Sequence, residues 1–184
     1  MKPFLSIILE TLPLVALFVG TSIYTIYIGA SAAILFSSIL IFFNLIKNRG
    51  LAYFPLFSTL ISFLFLAVAF ITEDTTFIKI QPSLFNLSFA VFLILGWVRN
   101  YPVMRLFFGR QFTLTHQTWM TLSIRWGLFF VFLAGANEFA WRTFNDAEWV
   151  NVKVFVFAPA TALFMVAQIP LTLKGRISKP SRED

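Results

Sequence analysis

Five apolar stretches, each about long enough to cross a bilayer, alternate with connections whose basic residues fall on one side only. They cover residues 25–46, 51–72, 78–98, 119–141 and 154–173. A hydrocarbon core about 30 Å thick takes about 20 helical residues, so each stretch fits, some with modest tilt. The hydrocarbon offers the backbone no water to bond, so spanning segments of this kind are helical. The expected fold is all-α, a polytopic helical membrane bundle forming a single membrane domain over residues 1–184.

Charge orients the bundle. Lys47 and Arg49 follow the first stretch, Arg99, Arg105 and Arg110 follow the third, and Lys174, Arg176, Lys179 and Arg182 fill the tail, 174–184. The alternate connections hold Glu73 and Asp74, with Lys79 at the far end, and Asp146 and Glu148, bracketed by Arg142 and Lys153. Positive loops stay inside, which makes the basic connections and the C-terminal tail cytoplasmic. Trp97, Tyr101, Trp119 and Tyr53 fall at the cytoplasmic ends; Tyr24, Tyr27, Trp141 and Trp149 fall at the opposite ends, with Trp126 slightly deeper. Amphipathic rings collect at headgroup level, so two belts are expected.

Composition agrees. Charged residues make up 12%, against about 25% in soluble domains, too few to coat a water-facing surface. The formal charge of +6 is scattered along the ends of spans, where it suits anionic headgroups rather than nucleic acid. The absence of cysteine excludes disulfides, thiolate metal sites and Cys nucleophiles. His116, the only histidine, has no clustered ligand beside it, so neither a metal nor another cofactor is expected.

Residues 4–20 are apolar but interrupted by Glu10 and Pro13. A signal peptide fits poorly, with one Lys, a broken apolar run and no small-residue cleavage site. Two readings stay open: a sixth spanning helix with Lys2 inside, or a re-entrant or interfacial helix bent at Pro13. An isolated carboxylate deep in hydrocarbon is expensive, which favours the second.

Small residues mark packing. Gly29-Ala-Ser-Ala-Ala33 opens the first span and Gly135-Ala136 lies late in the fourth; such residues let helix backbones approach. Pro159 should kink the fifth helix. Intramembrane polar groups are functional candidates by default. Arg125 is expected to snorkel toward the cytoplasmic boundary with a partner such as a carbonyl. Glu138 precedes Arg142 by four residues, the favourable order for a helical ion pair. Asn137, if buried, needs a hydrogen-bond partner from another helix. No relay of acids runs through the spans, which counts against a proton-coupled pump.

The long connection 99–118 is too apolar for a free loop. Val103, Met104, Leu106, Phe107, Phe108 and Phe112 alternate with Arg105, Arg110 and Gln111, and Gly109 interrupts any helix. An amphiphilic segment in the cytoplasmic interface suits this mixture, with partner docking the sharper alternative.

Residues 107–114 read F-F-G-R-Q-F-T-L, followed by Trp119, then R-W-G-L-F-F at 125–130, Asn137, and W-V-N-V-K-V-F-V-F at 149–157; Leu12-Pro13-Leu14 lies near the start. In this order they resemble the intracellular septation protein A family, the YciB-type inner-membrane proteins of Gram-negative bacteria, over nearly the whole chain. The most specific parts are F-G-(K/R)-x-x-T-L and W-V-N-x-K-V-F. Val156 departs from the glycine usual there, which bears on how the fifth helix begins or packs. The resemblance implies a multi-pass protein of the bacterial inner membrane linked to envelope biogenesis and integrity, septation and cell division, without enzymatic activity.

On this reading the candidate residues are Gly109, Arg110 and Thr113 inside, with Arg105 beside them, and Trp149, Asn151 and Lys153 at the outer start of the fifth span. Asn151 is expected to cap that helix, Trp149 to anchor at the headgroups, and Lys153 to reach a phosphate or carboxylate. Two function classes follow. One is an interaction or scaffold protein, its partners anionic headgroups and membrane proteins of envelope synthesis or division. The other is a small transporter, channel or lipid-handling protein, which requires Glu10, Arg125, Asn137 and Glu138 to converge. An enzyme ranks below both, because no plausible catalytic pair is present.

Overall fold

Helices start and stop at the polar breaks of the sequence. The computed structural model describes residues 3–46, 53–109 and 111–177, with the side chains of 3–10, 53 and 54 excepted. Arg110, Lys2, Lys47, Arg49, Leu51, Lys179 and Arg182, with the side chains of Glu10 and Tyr53, lie outside the described residues. The helices are α1 (Pro3–Ile23), α2 (Ile26–Ile46), α3 (Tyr53–Thr72), α4 (Thr76–Val98), α5 (Met104–Phe108), α6 (His116–Thr143), α7 (Asp146–Val152), α8 (Ala158–Ala167) and α9 (Ile169–Lys174). Among the described residues, five segments are long and apolar enough to cross a membrane: Ile26–Ile46, Pro55–Thr72, Thr76–Val98, His116–Thr143 and Asp146–Lys174.

Two expectations change in the helices themselves. The fifth segment begins at Asp146 rather than 154 and is not one helix: a π-helical turn, Lys153–Phe157, joins α7 to α8. Pro159 explains the turn, because it cannot donate to the Phe155 carbonyl and its ring presses on that group; widening the helix makes room. A second break at Gln168 precedes Pro170, with the Gln168 N–H turned back to Met165 and Val166 carbonyls. At the other end, α1 runs unbroken through Pro13 for 21 residues, about 31 Å at 1.5 Å per residue, so the expected bend there does not end the helix.

Where the sequence suggests one domain, the chain groups into two compact units, Met1–Gln81 with Glu138–Val156, and Pro82–Asn137 with Phe157–Asp184. In the first unit, only Tyr24 and Thr25 separate α1 from α2. A Cβ on Gly20 would lie 2.6 Å from Gly29 Cα, and one on Gly29 would lie 2.6 Å from the Leu17 carbonyl oxygen. Glycine at both positions is therefore a condition of the α1–α2 approach. Gly135 differs from expectation: a Cβ there would meet nothing within 4 Å, so it plays no part in close packing. Phe18 meets Phe155 edge-on at 5.5 Å and Tyr27 lies 4.8 Å from Phe70. Tyr27 Oη donates to the Ala69 carbonyl at 3.3 Å and Gln81 Nε2 to Ser62 Oγ at 2.6 Å.

The second unit is built on Leu93, Val103, Met104, Leu114, Trp119 and Leu122, all buried, with Trp126, Phe130 and Leu171 against them. Trp119 thus leaves the expected aromatic belt, because the connection 99–118 folds over it. Phe164 stacks on Phe129 and meets Trp126 edge-on at 5.0 Å. The Met104 N–H donates to Ser123 Oγ at 3.2 Å, and that hydroxyl donates to the Trp119 carbonyl at 2.9 Å. The connection is thereby fastened through a hydroxyl inside the core.

Candidate functional site

The first unit gathers its polar groups at the start of α7. Asn145, extended at φ −69° and ψ 174°, caps the helix: its side chain accepts from the Glu148 N–H, and the Glu148 carboxylate accepts from the Asn145 N–H. This capping box ties down both ends of the first turn. Asn151, expected to be the cap, lies a turn and a half inside the helix and is exposed. The sequence carries the signal, since Asn145-Asp-Ala-Glu148 has the capping-box spacing.

The same turn presents Asp146. Its Oδ1 accepts from Lys79 Nζ at 2.7 Å and from Thr75 Oγ1 at 3.2 Å. The Lys79 side chain is 10% exposed and that of Asp146 34%. Sequence reasoning missed this pair, because it joins two connections far apart in the chain. A cavity of about 490 Å³ opens beside it, lined by Thr21, Tyr24, Tyr27, Thr75, Asn145 and Asp146 among others. Nearby, the Thr76 N–H donates to Asp74 Oδ1 at 2.8 Å. That bond holds the Asp74 carboxyl below the usual carboxylate range, with help from the Lys79 charge.

Trp149 and Lys153 also depart from expectation. Trp149 is fully buried, not anchored at the headgroups, because α7 starts early enough to turn its ring inward. Lys153 Nζ lies 4.7 Å from the Trp149 ring centroid, a cation–π contact one turn further along. These residues fill the outer core rather than reach outward.

Three of the intramembrane candidates, Asn137, Glu138 and Arg125, bond a side chain within their own unit, and the side chain of Glu10 lies outside the described residues. Asn137 is buried, and its Nδ2 donates to Ser83 Oγ at 2.8 Å, from α6 to α4 within the second unit. Glu138 pairs with Arg142, Nε to Oε2 at 3.0 Å, in the first. Arg125 Nη1 donates to Gln168 Oε1 at 3.3 Å. Its partner is a side chain at the α8–α9 break, not a carbonyl.

In the connection 99–118, α5 ends where Gly109 donates its N–H to the Arg105 carbonyl at 2.8 Å. Leu106, Phe107, Phe108 and Phe112 are exposed while Val103, Met104 and Leu114 are buried, so the amphiphilic segment has a real inner face. Thr113 acts through its backbone. Its carbonyl accepts from the Ile177 N–H at 2.9 Å, and the Thr115 N–H donates to the Gly175 carbonyl at 2.9 Å. A bridge of Leu114 to Arg176 thus joins the connection to the start of the tail. Leu114 also lines a second, mostly apolar cavity of about 300 Å³. Among the described residues, no cluster of three or more His, Cys, Asp or Glu is placed to hold a metal.

The family model of intracellular septation protein A matches residues 5–178. The chain belongs to this family. Similar relatives are named inner membrane-spanning protein YciB. That of Rhizobium meliloti is 35% identical over 167 residues, covering 91% of this chain and 75% of the relative. That of Sinorhizobium fredii is 38% identical over 138 residues, covering 75% and 66%. That of Afipia carboxidovorans is 29% identical over 181 residues, covering 98% and 90%. No solved structure matches.

Membership fixes the setting, a membrane-spanning protein of the inner membrane. In this septation-family protein, the stretch at 107–114 forms the end of α5 and the strand-like bridge to the tail. The stretch at 149–157 forms the buried end of α7 and the π-helical turn. Both distinctive stretches therefore shape the backbone where helices are interrupted.

Proposed function

We propose that this septation-family protein works as a membrane-embedded interaction protein of envelope synthesis and division, without a catalytic step. The observation that carries this reading is the separate pairing of Asn137, Glu138 and Arg125 with Ser83, Arg142 and Gln168. A conducting or transporting site needs polar groups shared along one path. Asn137, Glu138 and Arg125 instead each bond a nearby side chain of their own unit, as in a packed bundle. Exposed Arg105, Phe107 and Phe108 supply the charged and aromatic surface that interfaces favour.

Complementation in a strain lacking the protein tests the proposal. Arg105→Glu combined with Arg110→Glu is expected to abolish rescue of septation while membrane insertion and helix content stay normal. Full rescue by that variant would remove the cytoplasmic connection from the account. The transporter reading predicts the reverse pattern, with rescue lost in Asn137→Leu and kept in the double arginine variant.

A further inference from the structure

The apolar cavity of the second unit has an unusual setting. It measures about 300 Å³, with Met104, Leu114, Leu122, Trp126, Met165 and Leu173 in its wall. That size is at the low end for ligand pockets. Two polar residues also line it, Gln168 and Thr172, and the bonding groups of both are engaged. Gln168 Oε1 accepts from Arg125, Gln168 Nε2 donates to the Phe164 carbonyl, and Thr172 Oγ1 donates to the Gln168 carbonyl. An occupant of the cavity therefore has little to bond, which suits hydrocarbon and not a peptide or sugar.

The surroundings specify charge. Arg105 follows the lining residue Met104, Lys174 follows Leu173, and Arg176 is bridged through its backbone to Leu114. All three basic residues are exposed. The described residues of this unit also include Arg99 and Arg125 but contain no Asp or Glu at all. Exposed basic residues next in sequence to the lining of an apolar slot, with no acidic residue among the described residues of the unit, match a lipid with a negative headgroup on the side assigned to the cytoplasm.

We propose that the cavity seats one acyl chain of an anionic phospholipid whose phosphate rests on Arg105, Lys174 and Arg176. Phe108 and Phe112 line the cavity and are also exposed, so the apolar wall is continuous with the surface and the chain enters from the bilayer itself. The lipid then adds to the Leu114–Arg176 bridge in holding the connection 99–118 against α9.

Native mass spectrometry of the purified full chain tests this, with phosphatidylglycerol and phosphatidylcholine of identical acyl chains. One phosphatidylglycerol is expected to stay bound under conditions that strip phosphatidylcholine. Lys174→Gln and Arg176→Gln should each weaken retention about fivefold, and Thr172→Phe, which fills the slot, should abolish it. Glycerol 3-phosphate should not displace the lipid. Equal retention of the two lipids, or unchanged retention in the charge variants, overturns the proposal whether or not Thr172→Phe folds. Displacement by glycerol 3-phosphate would point instead to a phosphate site. A dimer mass lost on filling the slot would point to a second copy of the chain. Either result overturns the lipid assignment.

Discussion

Lys79 Nζ lies 2.7 Å from Asp146 Oδ1, joining the first turn of α4 to the first turn of α7. The pair explains how an early, capped start to the fifth segment is held in place. It also explains why a lysine can be buried near the end of an apolar helix. Removing the carboxylate takes the Asp146 charge away from a largely buried ammonium. Asp146→Ala is expected to cost about 2 kcal/mol, below the usual 3–5 for a fully buried pair because the aspartate is one-third exposed. Lys79→Met should cost less, since water can reach the carboxylate. Thermal unfolding in detergent measures both; equal tolerance of the two would deny the pair a structural role.

The α1–α2 contact makes a second prediction. Gly20→Ala and Gly29→Ala each place a Cβ 2.6 Å from backbone atoms of the neighbouring helix, so the helices must separate. A loss of about 1–3 kcal/mol is expected for each. Gly135→Ala has open space and should instead gain up to about 1 kcal/mol from helix propensity. The opposite signs are the readout of the same unfolding assay.

Burial of Trp149 makes a third. Trp149→Ala should destabilise by about 3–5 kcal/mol, and Trp149→Phe by much less. A headgroup anchor would behave differently, tolerating alanine with a modest change in membrane depth. Indole fluorescence adds a check, since water-soluble quenchers should not reach a fully buried ring.

Asp74 gives the acid limb. Its carboxyl titrates below the ordinary range because the Thr76 N–H bonds the charged form. A depressed folded value means stability that is present above the unfolded value, about 3.9, and lost as pH falls through the folded one. The wild type and Asp74→Asn should therefore differ at neutral pH and converge as the pH falls through the folded value. A difference that grows on acidification would contradict the sign.

The spans were legible because apolar length and the sorting of charge are one-dimensional signals. Residues 26–46 and 76–98 emerge within two residues of the sequence reading. The fifth span was not, since Pro159 announces a disturbance without saying that a π-helical turn absorbs it. The Asn145–Glu148 capping box was present in the sequence but lay in what read as loop. The Lys79–Asp146 pair could not be read, because either residue alone looks like an end-of-span charge. The Leu114–Arg176 bridge is backbone pairing, which leaves no side-chain signature. Trp149 and Trp119 misled for a shared reason: their position along the chain was right for a belt, and packing turned both rings inward.

The central claim is that the polar groups of α6 close a dry bundle rather than line a path. The chain contains no cysteine, so single cysteines can be placed without background. Asn137→Cys and Ser83→Cys, in sealed vesicles of either orientation, should resist a membrane-impermeant maleimide from both sides, while Arg105→Cys reacts from the cytoplasmic side. Labelling at position 137 or 83 would reveal water at the buried Asn137–Ser83 contact and would contradict the account.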